Sequence, residues 1–271
     1  MKAISIFDWL TARRVAWVLL ALALISGTVG YVQQHPGAFD FNAFIGDFYA
    51  NISAEFASIA ITVLIIDGLN RMRDERVAVN REREQLTRQL GSNINDVARR
   101  AAEELRASGW LTDGSLQECD LRVANLDEAK LWDADLQGVN LQWAKLKKAN
   151  LNGASLVGAN LMQANLQAAK MRGADARGAN LFEAKLYRVA FQDAQLADAD
   201  LRGTHLEGAQ LINADLRSAK LDGAILDDLT VLPDGSAWTP EADLSRFTDP
   251  LHGQFWQPAA NGKPSNGKDD E

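Results

Sequence analysis

A leucine recurs at every fifth residue over more than a hundred residues, and few folds accommodate that period. Stepping by five from Leu116 to Leu226 passes 23 positions, of which twenty are Leu and the exceptions are Met171, Ala176 and Phe191. Two residues before the leucines, from Cys119 to Ala224, lie 22 positions, of which 18 are Ala and the others Cys119, Val139, Val189 and Thr204. No insertion interrupts the phase. A continuous α-helix rotates about 500° in five residues, so successive leucines would sit about 140° apart and spread around the axis. In an extended strand, by contrast, the small residue and the Leu two later point to the same side. The chain must then turn once in each pentad. Coils stacked at about 4.8 Å would pair their backbones and keep Leu and Ala inside. Glycines such as Gly138 and Gly153 stand near the expected corners, where freedom of φ helps. The period yields a five-residue side but not the number of sides.

The pentads ANLMQ, ANLQA, ANLFE, ADLRG and ADLRS match the A(D/N)LXX motif, and over about 110 residues the chain resembles the pentapeptide-repeat proteins. The resemblance implies an all-β, right-handed quadrilateral β-helix with four pentads per coil. On that plan 23 pentads make nearly six coils, roughly 28 Å tall at about 4.8 Å each. The flanking segments GWLTDGSL, TVLPDGSAW and SIAITVLIIDGLN resemble those of membrane-bound members of the family.

The departures from the motif carry physical readings. Cys119 takes an Ala position and is expected to be a small buried thiol rather than a reactive one. As the sole cysteine it can form no intrachain disulfide, which fits a reducing compartment. Ala176 removes a core leucine, a vacancy costing about 2–5 kcal/mol if nothing refills it. Phe191, three pentads on, is expected to point inward and occupy that space.

Ahead of the repeat the sequence predicts an α-helical two-span transmembrane hairpin over 1–69. The first span is 15–32, which has no charged residue, and the second is 48–66. Arg13 and Arg14 precede the first span, Arg71, Arg73 and Arg76 follow the second, and the intervening loop has no Lys or Arg. The positive-inside rule then places a multi-pass protein in the cell membrane, with the N-terminus and the β-helix in the cytoplasm. Asp47, Asn51, Glu55, Ser58 and Thr62, spaced 4, 4, 3 and 4, would form one polar stripe on the second span. That stripe serves either helix packing, in the hairpin or a homo-oligomer, or an ion path at Glu55. Residues 70–109 read as a charged amphipathic connector broken at Gly91-Ser92-Asn93. Ser92 or Asn93 would be the new N-cap, Gly109 would end the second helix, and a short coiled coil would fit before Gly91. The repeat domain spans 110–230, a C-terminal cap 231–257, and a disordered tail 258–271.

No catalytic, cofactor or metal site is expected. His35, His205 and His252 are isolated, and no Cys/His spacing or glycine-rich phosphate loop occurs. The net charge of −8 disfavours direct nucleic-acid binding. Residues 111–230 carry 17 acidic and 13 basic groups. Outward apolar residues are more informative. Four pentads per coil would set Met162 below Phe182 with Trp143 at the lower edge, and Trp132 on a neighbouring face. These four form a candidate partner surface, although the 93–108 helix could instead cover Trp132 and Trp143. The leading reading is a membrane-anchored, non-enzymatic scaffold with the bilayer and an unidentified protein as partners. The alternatives are a DNA-mimicking topoisomerase modulator, for which lysines and arginines interrupt the acidic face, and a small oligomeric channel or sensor lined by the Glu55 stripe.

Overall fold

The computed structural model describes residues 40–258 throughout and, before them, residues 25, 28, 29, 31–33 and 37; within 47–64 many side chains are outside the description. Two compact units divide the chain at residues 80 and 81, and each is described by itself.

In the first unit, helix α1 (Phe41–Leu90) begins at Asp40, whose carboxylate accepts the N–H groups of Asn42 (2.9 Å) and Ala43 (3.4 Å). This is side-chain capping of otherwise orphaned donors. The Tyr31 hydroxyl donates to the Asp40 carbonyl (3.0 Å), and the Tyr31 ring meets Phe44 edge-on at 5.3 Å. The predicted second span, 48–66, is no separate element but the interior of this 50-residue helix. The helix continues through Asp67, Arg71, Arg73 and Asp74, and Asp67 pairs with Arg71 one turn on at 2.8 Å. Taken whole it is neither apolar nor one-sided. Among the described residues no helix is long and apolar enough to cross a membrane, so the two-span membrane placement is corrected. The first expected span lies almost wholly outside the described residues, as does the tail beyond 258.

In the second unit, parallel bridges join one residue of each pentad to the residue twenty later, from Asp120 with Asn140 to His205 with Ile225. Twenty residues are four pentads, so every coil has four sides. Side one carries Leu121, Leu141, Leu161, Leu181 and Leu201; side two begins at Leu126, side three at Leu131 and side four at Leu136. Three ladder bonds recur per pentad. Leu121 N–H donates to the Asn140 carbonyl (2.8 Å), Val123 N–H to Gln142 (3.0 Å), and Asn140 N–H to Cys119 (2.9 Å). At each corner the Ala N–H donates back to the preceding Leu carbonyl, as Ala124 does to Leu121 at 3.2 Å. The residue before that Ala has positive φ at all 22 corners from Glu118 to Gly223, and fourteen of them carry a side chain. Left-handed backbone costs an ordinary residue about 1–2 kcal/mol, so the ladder, not glycine, imposes the corner. Inside, the Leu and Ala rows are buried, and Phe191 is 0% exposed.

The coil ends are closed by groups that imitate a missing coil. Below, α2 (Asn95–Ala107) buries Ala98, Ala101, Ala102 and Leu105 against the first coil. Asn95 Nδ2 donates to the carbonyls of Asp127 (2.9 Å) and Asn125 (3.2 Å). Arg106 donates to those of Trp132 (2.6 Å) and Lys130 (3.3 Å). The carbonyls of Ser92 and Leu111 accept the N–H groups of Asn125 (2.8 Å) and Asp135 (2.7 Å). The expected N-cap at Ser92 or Asn93 is displaced: Ile94 holds that position without a side-chain bond, and the Ser92 hydroxyl accepts the Ile94 N–H instead. Gly109 (φ +76°) takes the position after the C-cap, with Trp110 N–H on the Leu105 carbonyl at 2.8 Å. Above, one extra residue shifts the register, so that Gln210 pairs with Val231. The Asp227 carboxylate accepts Gly208 N–H at 2.7 Å, and Pro233 and Thr248 carbonyls accept Asn213 and Ser218. Phe247 and Trp256 are buried there edge to face, beside α3 (Ser245–Thr248).

Candidate interaction surface

A saturated interior leaves chemistry only to the outward positions flanking each Leu and to the corners. On side one the register stacks Phe182 on Met162, and at the adjoining corner Trp143 stands one coil below Met162, with Val123 beneath it. Trp143 stands at a corner with φ +60° and is 49% exposed; Val123 is 53% exposed. The Trp143 Nε1–H donates to Gln163 Oε1 (2.6 Å), and Gln163 Nε2 donates to Glu183 Oε2 (2.6 Å). This polar chain holds the indole against the corner and leaves its face to solvent. Met162 and Phe182 are half-buried, and the Arg202 guanidinium lies 5.6 Å from the Phe182 ring centre. The column through the patch thus reads Arg122, Gln142, Met162, Phe182 and Arg202, with Trp143 at the adjoining corner and the Arg122–Asp120 and Arg202–Asp200 pairs at its ends.

Trp132 is not beside this strip. It is ten residues, two pentads, from position 142, which places it on side three, opposite side one. There the Arg106 guanidinium covers its ring at 3.6 Å. The N-terminal cap thus takes Trp132 and leaves Trp143 free of that helix's guanidinium. Of the polar stripe, Asp47, Asn51, Glu55, Ser58 and Thr62 all fall within α1; the side chains of the first four are outside the description, and Thr62 is exposed.

Side two holds a cluster that composition does not reveal. His205 stacks on Tyr187 (centroids 4.9 Å, 26° between planes), and its Nδ1 lies 2.7 Å from the Tyr187 hydroxyl and 3.2 Å from Glu207 Oε1. With its proton on Nε2 alone, Nδ1 accepts from the Tyr187 hydroxyl; with a proton on Nδ1 it donates to Glu207. Loss of water, and then the Glu207 carboxylate, push the Tyr187 phenol up. An open groove of about 630 Å³ runs past Gln167, Lys185, Tyr187, Arg188 and Asp227. His205 looked isolated in sequence; the signal was the twenty-residue register, which sets it over Lys185 and Glu207 over Tyr187. Cys119 is half-buried, and burial pushes its thiol up, away from thiolate chemistry.

Residues 111–142, 144–181, 159–194 and 190–228 match the family model of pentapeptide repeats, in eight copies. Among solved structures, the chain is similar to a pentapeptide repeat protein of the Arabidopsis thaliana thylakoid lumen. The identity is 21%, over 55% of this chain and 82% of that one, with a TM-score of 0.26. It is also similar to a pentapeptide repeat protein from Nostoc Pcc 7120, at 30% identity over 54% of this chain and 88% of that one, with a TM-score of 0.17. A third, from the cyanobacterium Cyanothece 51142, shares 32% identity over 41% of this chain and 65% of that one, with a TM-score of 0.17. No curated protein matches.

Proposed function

The chain belongs to the pentapeptide-repeat family through residues 111–228, and from that premise we propose that it is a non-enzymatic scaffold whose side one binds a protein partner. Proteins of this family are generally structural or interaction proteins. The observation that carries the reading is the pair Met162 and Phe182 stacked on side one with Trp143 at the corner beside them, on a coil whose other large apolar groups are mostly turned inward. Aromatic and methionine side chains are enriched at protein interfaces, and tryptophan is among the residues that carry most of the binding energy there. The bonds through Gln163 to Glu183 hold Trp143 in place before any partner arrives.

The test is cross-linking with mass spectrometry on the full chain in its native cells, beside a Trp143→Ser/Phe182→Ser variant. Wild type should yield reproducible cross-links to a protein that the variant loses. Both residues are at outward positions, so each kcal/mol lost in the variant should move its melting point by only about 2–4 °C. Unchanged cross-links in a folded variant would remove side one as the contact.

A further inference from the structure

The cations of the solenoid fall into two groups. In one, a carboxylate two residues earlier holds each arginine: Asp120-Leu121-Arg122, Asp175-Ala176-Arg177, Asp200-Leu201-Arg202 and Asp215-Leu216-Arg217, at 2.6–2.8 Å. The pentad places both side chains outward on one side, so Asp-x-Arg neutralises itself. In the other group the aspartate is replaced by a second cation: Lys145-Leu146-Lys147 and Lys170-Met171-Arg172. The register brings these onto adjoining sides, two and three, around one corner. Lys148 and Arg188 stand on that corner two coils apart, and Lys185 lies two coils above Lys145. Among the described residues only Lys148 of these has an ion pair, with Glu128 at 3.6 Å.

No acidic residue occurs between Asp135 and Asp175. On the three coils concerned, between the near corner at Glu183 and the far corner at Asp193, sides two and three therefore carry seven cations and no carboxylate. Asp127 and Glu128 border the surface below; Glu207, Asp227 and Asp228 border it above. On a chain of net charge −8 this is a local inversion of sign. Between its two cationic rungs lies a neutral one of Asn165 and Gln167, and the groove past Tyr187 opens at the upper rung.

We propose that sides two and three form a second docking surface, and that its occupant is a short acidic segment of a protein. The rungs are about 10 Å apart, two coil steps, which an extended chain covers in about three residues. A duplex carries phosphates continuously along both strands and would run past the two rungs onto the carboxylates at both borders. A segment of a few Asp or Glu residues ends before reaching them. The proposal extends the scaffold reading to another side, and its test uses a peptide rather than a cellular partner, so either can fail alone.

Fluorescence anisotropy of the full chain with labelled hexaglutamate measures it, beside hexaglutamine and a single-stranded oligothymidylate. Hexaglutamate should bind at low salt and weaken as salt rises, and hexaglutamine should not bind. Lys147→Glu/Lys185→Glu should lower affinity about tenfold, equivalent to roughly 1.4 kcal/mol. Arg122→Glu/Lys220→Glu, with the same change in net charge on side one, should shift it far less. Circular dichroism confirms that both variants fold. The proposal is overturned by absence of hexaglutamate binding, by equal losses in the two variants, or by tighter binding of the oligonucleotide than of the peptide.

Discussion

Ala176 leaves the interior short of a leucine just where Leu196 stacks above it in the next coil. Phe191, in the pentad before Leu196, is the largest fully buried side chain. Volume lost at one position and gained near it suits a core that tolerates little void. Phe191→Ala should cost about 3–5 kcal/mol and Ala176→Leu alone about 1–3 kcal/mol, by overpacking. The double variant Ala176→Leu/Phe191→Leu should be more stable in urea unfolding than the sum of the Ala176→Leu and Phe191→Leu single losses allows; additive losses would separate the two sites. Val123 presents the opposite situation. It is β-branched, exposed, and held at φ +56°. Val123→Gly removes left-handed strain of about 1–2 kcal/mol at an entropic cost of about 0.5–1 kcal/mol. It should therefore raise the melting temperature, and a drop would mean that Val123 packs with Trp143 more than it strains.

The caps act at the scale of the element. A β-helix ends in open ladder edges that invite pairing with other chains. Here Asn95 and Arg106 project ladder-like donors from α2 onto four carbonyls of the first coil. Asn95→Leu or Arg106→Leu should each cost about 1–3 kcal/mol, the penalty for unsatisfied buried groups, and should raise amide exchange at Asn125 and neighbouring first-coil positions. Arg106→Lys should not restore the loss, because one ammonium cannot imitate the fork over Trp132. The Asp-x-Arg pairs add a pH dependence. The side-chain bond from Arg177 holds the Asp175 carboxyl below its ordinary 3.8, and that from Arg202 does the same for Asp200. A carboxylate with a lowered value in the fold gives stability that is present above 3.8 and lost as pH falls through the lowered value. The urea midpoint should therefore be flat near neutrality and fall below pH 4 (about the ordinary aspartate value). Asp175→Asn should flatten part of that fall.

At the scale of the whole molecule, legibility in the sequence follows the period. The Leu and Ala rows announced a coil, because a five-residue repeat admits no other regular backbone. The corners were visible only where glycine marks them, since the ladder forces Glu118, Val123 and Trp143 into the same conformation without leaving a sign. Met162 and Phe182 could be stacked, with Trp143 at their lower edge, once four pentads per coil were assumed, yet Trp132 was set on the wrong side and His205 looked alone. Both errors are register errors: ten residues reach the opposite side, and twenty return to the same column. The cap bonds join residues 24–32 apart through single side chains, and no pattern records them. The N-terminal segment misled because apolar content over 48–66 was read without the helix that continues past it.

The central claim is that this coil is functionally sided, with identity carried by which column a residue occupies. Met162, Gln167, Arg172 and Arg177 hold the same place in four consecutive pentads, at one height, on sides one to four. Replacing each in turn by a photo-cross-linking amino acid in the full chain and exposing the native cells to light measures that claim directly. The account predicts a protein adduct at 162 that Trp143→Ser abolishes, a different adduct at 167 or 172 that Lys147→Glu abolishes, and none at 177. The same adduct in equal yield from all four positions would contradict it.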